Sequence, residues 1–302
     1  MRISHIWGGL ANQMLIYIFS RFIEETTGEK VIFDDLTFKF SGIHVHNGYE
    51  LDRIFNIKSE FLSEFISPDA KDEVRKSGPY EYLKCQIPSL RLVAELPVYI
   101  EWMKYFYNLT ITPIFDSTCY SIPRGSFFSS ISKLKGDLYY IGIWESPLWF
   151  HSIRDKMLEE LRFPEFDDVY NKEQKERILN TNSIGVHIRR GDMLHPFPIL
   201  DMKYYRMAIA YMRNAVLDPA FYLFTDDKKW VTENYLSLGL EKNDRITFVT
   251  ENTGYNSYKD MQLMTSCRNL VLANSTFSQV SSLLNQTPGK IVLRPDKTLL
   301  PY

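Results

Sequence analysis

The chain has 302 residues, which exceeds the usual size of one domain and favours two domains of about 150 residues each. Hydrophobic residues make up 45% and charged residues 24%, and the net charge is −2 at pH 7. These values describe an ordinary globular protein without the basic excess that holds nucleic acid or an anionic membrane. They exclude a nucleic-acid partner and leave at most peripheral membrane contact.

The cysteines and the start of the chain indicate a compartment. Cys85, Cys119 and Cys267 are far apart, odd in number and without metal-ligand spacing, which favours a reducing environment. The sequence opens on a strand pattern with no charged-then-apolar leader, and no apolar run reaches about 18 residues. We therefore expect a cytoplasmic protein.

The first elements form a strand, helix, strand pattern. A strand at 3–7 runs into Gly-Gly-Leu-Ala-Asn-Gln-Met at 8–14, a helix continues through Glu25, and Gly28 precedes a strand at 31–33. In this geometry, amides at the helix start can face a phosphate. The segment matches neither a Walker loop nor Gly-x-Gly-x-x-Gly.

The glycine pair at 8–9 has two interpretations. It forms either a phosphate-facing turn or a turn that merely lets the helix pack on the sheet. Asn12 and Gln13 favour a ligand site, because they place side-chain amides where a cleft needs polar groups.

Residues 34–162 are harder to interpret. Aromatic clusters at 98–107 and 139–146 could stack on sugar rings, but core packing explains the first better and the second equally well. The segment 163–168, Phe-Pro-Glu-Phe-Asp-Asp, is typical of a join. We predict an N-terminal domain over 1–163 and a C-terminal domain over 164–302.

Beyond the join, strand and helix patterns alternate cleanly. Predicted strands cover 184–190, 221–224, 246–249, 270–272 and 291–293, and predicted helices cover 202–216, 228–238, 257–267 and 277–284. This alternation predicts an α/β domain with a doubly wound parallel sheet.

The first of these strands ends in two arginines. Strand alternation places His187 and Arg189 on one face, and Gly191 breaks the strand where open α/β sheets bind ligands. A guanidinium there can chelate a diphosphate, with Arg190 turned back into the domain. The alternative is a solvated surface pair, or a structural pairing of Arg190 with Asp192 or with an acidic residue of a helix.

Polar residues also follow two later strands. Asp226 lies after one, and Asn-Ser-Thr-Phe-Ser at 274–278 lies after another and opens a helix. Hydroxyls and amides of that segment can bind phosphate oxygens. Plain helix capping explains any one of these residues equally well.

Five segments together resemble glycosyltransferase family 11, the α-1,2-fucosyltransferases. Their order and approximate spacing match that family at 8–14, 187–192 (His-Ile-Arg-Arg-Gly-Asp), 224–227 (Phe-Thr-Asp-Asp), 260–264 (Asp-Met-Gln-Leu-Met) and 273–278 (Ala-Asn-Ser-Thr-Phe-Ser).

The resemblance implies a GT-B-like fold, in which two Rossmann-like doubly wound domains face a cleft. It implies inverting transfer of L-fucose from GDP-β-L-fucose to the 2-hydroxyl of a terminal galactose in a glycan or surface polysaccharide. The N-terminal domain would bind the galactose-terminated acceptor and the C-terminal domain the GDP-sugar. No cofactor is implied, since GDP-fucose is a substrate.

The resemblance also assigns residues. It implies that Arg189 binds the diphosphate and is catalytic together with Asn12, and that His187 and Asp260 recognise guanine. A carboxylate can accept hydrogen bonds from N1 and N2 of guanine and thereby reject other bases. The further donor-binding residues it implies are Gly8, Gly9, Gln13, Arg190, Asp226, Asn274, Ser275, Thr276, Phe277 and Ser278.

Three positions depart from the family pattern. Ala11 replaces a usual glycine, which matters only if its φ is positive. Gln-Val-Ser at 279–281 replaces a common Trp-Trp-Gly, and Gly-Ile-Trp-Glu at 142–145 replaces Gly-Tyr-Phe/Trp-Gln. These departures affect the choice of acceptor and the identity of the donor sugar. Transfer of the sugar from GDP-mannose or GDP-colitose is therefore one alternative. A non-catalytic GDP-sugar-binding protein is another.

The general base is not assigned by the sequence. Asp34, Asp35 and Glu145 are candidates by position, although late proton loss can dispense with a strong base. No Asp-x-Asp metal motif occurs, and adjacent acids on a strand point to opposite faces. We expect activity without divalent cations, with Arg189 and helix-start amides stabilising the leaving diphosphate.

Overall fold

The computed structural model describes residues 1–40, 46–96, 119–190 and 199–295. The chain forms two compact units, Met1–Pro164 and Glu165–Tyr302. The aromatic cluster at 98–107, Gly191 and Asp192 lie outside the described residues.

The first unit is built on a five-stranded parallel sheet. Its strand order is β2-β1-β5-β3-β4, so the last strand in sequence inserts next to the first. The strands are β1 (Arg2–His5), β2 (Val31–Asp34), β3 (Arg91–Leu96), β4 (Tyr120–Pro123) and β5 (Leu138–Ile141).

The helices of the first unit begin with the one predicted from the sequence. It ends at Gly28, whose positive φ of 73° lets its amide bond the Glu24 carbonyl, which is a glycine helix stop. The described helices are α1 (Leu10–Thr27), α2 (Leu36–Phe40), α3 (Leu51–Phe55), α4 (Lys71–Ser77), α5 (Pro79–Gln86), α6 (Pro147–Ser152) and α7 (Arg154–Glu160).

The aromatic cluster at 139–146 belongs to the core of the first unit. Tyr139 and Tyr140 are buried in β5, between β1 and β3. Trp144 stacks on Phe19 of α1 with ring centroids 3.9 Å apart, and Trp149 packs against the same ring edge to face. Of the two interpretations of this cluster, core packing is therefore correct.

The second unit contains a second five-stranded parallel sheet, as predicted. Its order is β10-β9-β6-β7-β8, so the chain switches direction across the sheet between β6 and β9. Open α/β sheets bind ligands at such a switch point, outside the carboxyl ends of the strands. The strands are β6 (Asn182–Ile188), β7 (Pro219–Thr225), β8 (Arg245–Val249), β9 (Asn269–Val271) and β10 (Val292–Leu293).

Five α-helices are described in the second unit, and one was not predicted. That helix, α8 (Val169–Leu179), is strongly polar and starts where Asp168 accepts a hydrogen bond from the Asn171 amide. The others are α9 (Met202–Ala215), α10 (Lys228–Asn234), α11 (Tyr258–Ser266) and α12 (Thr276–Leu284). No helix in the described parts of the chain is both long and apolar enough to cross a membrane.

Candidate functional site

The carboxyl edge of the second sheet, where its strands end, carries the arginine pair. Arg189 directly follows β6, and its Nε lies 3.4 Å from a carboxylate oxygen of Asp226, which follows the neighbouring β7. The backbone N–H of Arg190 donates to the other Asp226 oxygen at 2.8 Å. Asp226 therefore contacts both arginines with one side chain. It is placed to orient Arg189, and direct contact of Asp226 with the donor stays a prediction.

Arg190 lies against α10. Its guanidinium carbon is 3.6 Å from the centre of the Trp230 ring, a cation–π contact, and its Nε is 3.7 Å from Asp227. Asp227 also accepts the Trp230 amide and so begins the helix. This is the arrangement expected of an arginine turned back into the domain, and a direct donor contact of Arg190 stays a prediction.

His187 lies at the end of β6 with 4% of its surface exposed. Its ring tilts over Phe277, with centroids 5.5 Å apart, and its Nδ1 is buried with no hydrogen-bond partner among the described residues. Burial, aided by the charge of Arg189, lowers the pKa of His187 to about 3. The imidazole is therefore neutral near pH 7 and keeps one ring nitrogen available as an acceptor.

Residues 274–278 form the start of α12, next to the switch point between β6 and β9. Ser275 accepts the Phe277 amide at 3.3 Å, so the capping interpretation applies to Ser275. Asn274, Thr276 and Phe277 are partly exposed around it, at the carboxyl edge.

Ser278 corrects a prediction. Its side chain is fully buried, and its hydroxyl lies within hydrogen-bond distance of the Ala273 amide and the Ser275 carbonyl. The hydroxyl is therefore used to shape the loop between β9 and α12, and burial prevents it from reaching a phosphate.

Asp260 stands in the first turn of α11. One of its oxygens accepts a hydrogen bond from Asn252 at 2.7 Å. Burial raises the pKa of Asp260 to about 7, although the Asn252 hydrogen bond and the charge of Lys228 act in the opposite direction. Helix α11 packs between α8 and α12, and α11 and α12 both begin at the carboxyl edge.

In the first unit, the glycine turn precedes α1. Gly8 has a φ of 77°, and a Cβ there would lie 2.6 Å from Nδ2 of Asn12, so this position requires glycine. Asn12 thus lies directly over the turn. Ala11 is inside the helix and is not among the residues with positive φ, so replacing the usual glycine causes no strain.

Gln13 corrects another prediction. It is fully buried, its Nε2 donates to the carbonyls of Gly8 and Gly48 at 2.8 Å, and its Oε1 accepts the Glu50 amide at 2.9 Å. All three bonds go to backbone. Gln13 therefore ties the glycine turn to the 48–50 segment, and its amide is not directed at a donor.

The two candidate bases after β2 are buried and engaged. Asp34 is fully buried, with one oxygen at 3.1 Å from His5 Nδ1 and hydrogen-bonded to the Tyr139 hydroxyl, and the other bonded to a backbone amide. Asp35 accepts two hydrogen bonds from Ser63, and burial raises its pKa. Burial in these networks contradicts a role for Asp34 or Asp35 as a base that meets an acceptor hydroxyl.

The third candidate base, Glu145, lies at the carboxyl edge of the first sheet. Its two oxygens accept from the guanidinium of Arg124 at 2.7 and 3.2 Å, and its side chain is 8% exposed. Glu145 is therefore placed to hold Arg124 rather than to take a proton.

Glu95, at the end of β3, was not singled out in the sequence. Its buried carboxylate accepts the amides of Gly125, Ile143 and Trp144 at 2.7 to 2.9 Å and so joins the turns after β4 and β5. Trp144, one of these three amide donors, has a positive φ of 59°, which is unusual for a large side chain. A single glutamate in an apolar strand is the one signal that could have indicated such a role.

Metal binding is not indicated by the described residues. In those parts of the chain, no three His, Cys, Asp or Glu side chains come together as a cation site. The expected independence from divalent cations stays a prediction.

Two relatives with similar sequences are glycosyltransferases. The Alpha-1,2-colitosyltransferase of Escherichia coli is 27% identical, over 97% of this chain and 90% of its own length. The O-antigen biosynthesis glycosyltransferase WbnK of Escherichia coli is 34% identical over 39% of each chain.

Solved structures support the fold. A crystal structure of the fucosyltransferase NodZ from Bradyrhizobium aligns with the whole of this chain and 97% of its own, with a TM-score of 0.52 and 12% identity. The NodZ α-1,6-fucosyltransferase soaked with GDP-fucose gives a TM-score of 0.54. Two doubly wound sheets and this likeness confirm the predicted GT-B-like fold class.

The family follows from the sequence match itself. The family model described as Glycosyl transferase family 11 matches residues 87–297, which include the arginine pair, Asp260 and the start of α12. The chain therefore belongs to glycosyltransferase family 11 and is a fucosyltransferase-like glycosyltransferase.

Proposed function

We propose that this protein transfers L-fucose from GDP-β-L-fucose to the 2-hydroxyl of a terminal galactose, with inversion at the sugar carbon. One observation carries the proposal. A single sheet edge gathers an arginine, a neutral histidine with an unpaired buried nitrogen, a helix start and a carboxylate. These groups match the diphosphate and the guanine of a GDP-sugar.

Each part of the nucleotide has a chemically suitable partner. Arg189 can donate two hydrogen bonds to the diphosphate, and the amides at the start of α12 favour negative charge. Asp260, when ionised, can accept from N1 and N2 of guanine. The unpaired Nδ1 of His187 gains a partner when the base hydrogen-bonds to it, and a buried unpaired nitrogen otherwise costs about 1–3 kcal/mol.

The proposed reaction is a direct displacement. The galactose 2-hydroxyl oxygen forms a bond to C1 of fucose while the bond between C1 and the β-phosphate oxygen breaks, and GDP leaves with the bonding electrons. Negative charge accumulates on the leaving diphosphate, where Arg189 stabilises it. The proton of the attacking hydroxyl is lost late in the reaction and passes to solvent water. This route needs none of the three candidate carboxylates, which are engaged by other groups.

Two relatives bear on the donor sugar. A NodZ crystal was soaked with GDP-fucose, and a relative that aligns with nearly the whole chain is an α-1,2-colitosyltransferase. Colitose is L-fucose without its 3-hydroxyl, so the same nucleotide site accommodates both donors. Transfer of colitose from GDP-colitose is therefore the second candidate.

The test is GDP release from GDP-fucose and from GDP-colitose, with terminal β-galactosides as acceptors and EDTA present. We expect turnover with one of these donors, and a loss of at least about 100-fold in Arg189→Ala. Arg177→Ala is the matched control, because this arginine is 60% exposed near the end of α8 and pairs only weakly with Glu173. It should keep full activity.

Two outcomes contradict the proposal. Tight GDP binding without release from either donor indicates a GDP-sugar-binding protein instead of an enzyme. Complete inactivity in EDTA that manganese restores overturns the expectation of metal-independent transfer.

A further inference from the structure

A continuous row of polar side chains joins the start of α8 to Asp260. Lys259 Nζ lies 2.7 Å from Asp168, whose carboxylate accepts Nδ2 of Asn171 at 3.0 Å. Asn171 and Asn252 then exchange two hydrogen bonds of 2.9 Å, and Asn252 Nδ2 donates to Asp260 at 2.7 Å. Both asparagines are buried, with 2% and 7% of their surface exposed.

The amide groups of Asn171 and Asn252 can take only one orientation in this row, because the charge of Asp168 decides which atoms donate and which accept. Burial raises the pKa of Asp168, but hydrogen bonds from Lys259 and Asn171 outweigh it and hold that pKa well below its usual value. Asp168 is therefore ionised and only accepts, so the amide nitrogen of Asn171 faces it. The oxygen of Asn171 must then accept from Asn252, which leaves the second N–H of Asn252 for Asp260.

This direction fixes the carboxylate of Asp260. Both N–H groups of Asn252 are used, one toward Asn171 and one toward a single oxygen of Asp260. That bond favours the ionised form and prevents rotation of the carboxylate. The opposite amide orientation would put two oxygens 2.7 Å apart and is excluded while Asp168 is charged.

We propose that Asn252, oriented by Asn171 and Asp168, is a positioning residue that holds Asp260 for recognition of the N1 and N2 edge of guanine. The inference rests on the proposed function, because it takes Asp260 as the guanine-binding group. Asn252 thereby sets the preference of the site for guanine over a purine that lacks the 2-amino group.

Inosine diphosphate is the probe for this preference, since hypoxanthine keeps N1–H but has no 2-amino group. The full-length protein is titrated with GDP and with inosine diphosphate by calorimetry. We expect the wild type to bind GDP about 10-fold or more tightly, and the ratio to fall toward one in Asn252→Ala. Asn171→Ala should reduce the ratio less, because Asn252 stays in place but loses its orientation.

The matched control is Asn285→Ala. Asn285 is also a buried asparagine beside α11, 3% exposed, but it donates to the Cys267 carbonyl at the opposite end of that helix. This variant should lose stability and keep the wild-type ratio of the two affinities. A purely structural role for Asn252 would make the two variants behave alike.

The pH dependence of GDP affinity is a second readout. Affinity should rise with pH as Asp260 ionises, around pH 7 in the wild type. Removing the Asn252 donor raises the pKa of Asp260, so the rise moves to higher pH in Asn252→Ala. The groups whose charges act on Asp260 are Lys228 from α10 and Tyr170 from α8, while the Lys259–Asp168 ion pair lies at the far end of the row.

The outcomes separate the two proposals. If the wild type binds no GDP, the proposed function fails. If the wild type prefers GDP and Asn252→Ala shows the same preference and the same pH profile, the positioning role is refuted while the function stands. Should Asn252→Ala not fold, Asn252→Ser gives the same comparison, since its shorter side chain cannot reach Asp260.

Discussion

Replacing Gln13 with leucine tests whether the most conspicuous motif of the N-terminal unit binds a ligand or holds the fold. Leucine fills nearly the same volume but offers no hydrogen bond. It therefore leaves the carbonyls of Gly8 and Gly48 and the amide of Glu50 without the partner they have now.

The magnitude follows from the burial of those groups. The bonds to Gly8 and Glu50 are buried, and each group left unpaired costs about 1–3 kcal/mol, while Gly48 is partly accessible and costs less. The two buried groups alone account for a loss of about 2–6 kcal/mol in the free energy of unfolding. Most domains have only about 5–15 kcal/mol in total, so the effect is large.

Urea unfolding followed by tryptophan fluorescence measures this loss, because Trp144 and Trp149 report on the core of the first unit. Ser20→Ala is the control on the same helix, since its buried hydroxyl bonds only to the carbonyl one turn back, at Ile16. We expect it to change stability by less than about 1 kcal/mol. GDP affinity should be unchanged in both variants. If Gln13→Leu unfolds like the wild type but binds GDP weakly, the assignment of Gln13 to the fold is wrong.

Two further predictions concern the second unit. Trp230→Leu removes the ring under Arg190, a contact worth about 0.5–2 kcal/mol, and should weaken GDP binding several-fold. Trp230→Phe keeps an aromatic face and should keep most of the affinity. Equal GDP affinities of the two variants, measured by calorimetry, would contradict this prediction. The pKa of His187 is about 3, so its imidazole NMR signals should not titrate between pH 5 and 8. Because this pKa is lowered, the unfolded chain takes up a proton that the folded chain does not, and stability falls as pH drops from about 6.5 toward 3. His187→Phe should lose less stability than the wild type over that range in urea titrations, and parallel losses would refute the burial argument.

The second unit was predicted well from sequence because its strands are short apolar runs separated by clear helical patterns. The predicted strands and helices between residues 184 and 293 agree with the structure to within about two residues at most ends. The 228–238 segment differs in kind, since its α-helix stops at Asn234 and continues as a 3₁₀ turn. Helix α8 was missed because its interior is polar, its apolar residues lie only at the two ends, and it lacks a clear apolar stripe.

The first unit was less predictable because its sheet depends on distant pairing. Strand β5 pairs with β1 across more than 130 residues, and no local pattern indicates that it inserts between β1 and β3. Sequence can show that a polar residue stands near a strand end. It cannot show whether the side chain of that residue stays open to a ligand or is taken up by the backbone, as those of Gln13 and Ser278 are.

Asp226 has a consequence for how the proposed enzyme releases its product. An arginine that already shares its charge with a carboxylate 3.4 Å away gains less from a second anion than an isolated arginine would. We therefore expect Arg189 to contribute less to GDP affinity than an isolated arginine would, so that the spent nucleotide dissociates more readily once the sugar has left.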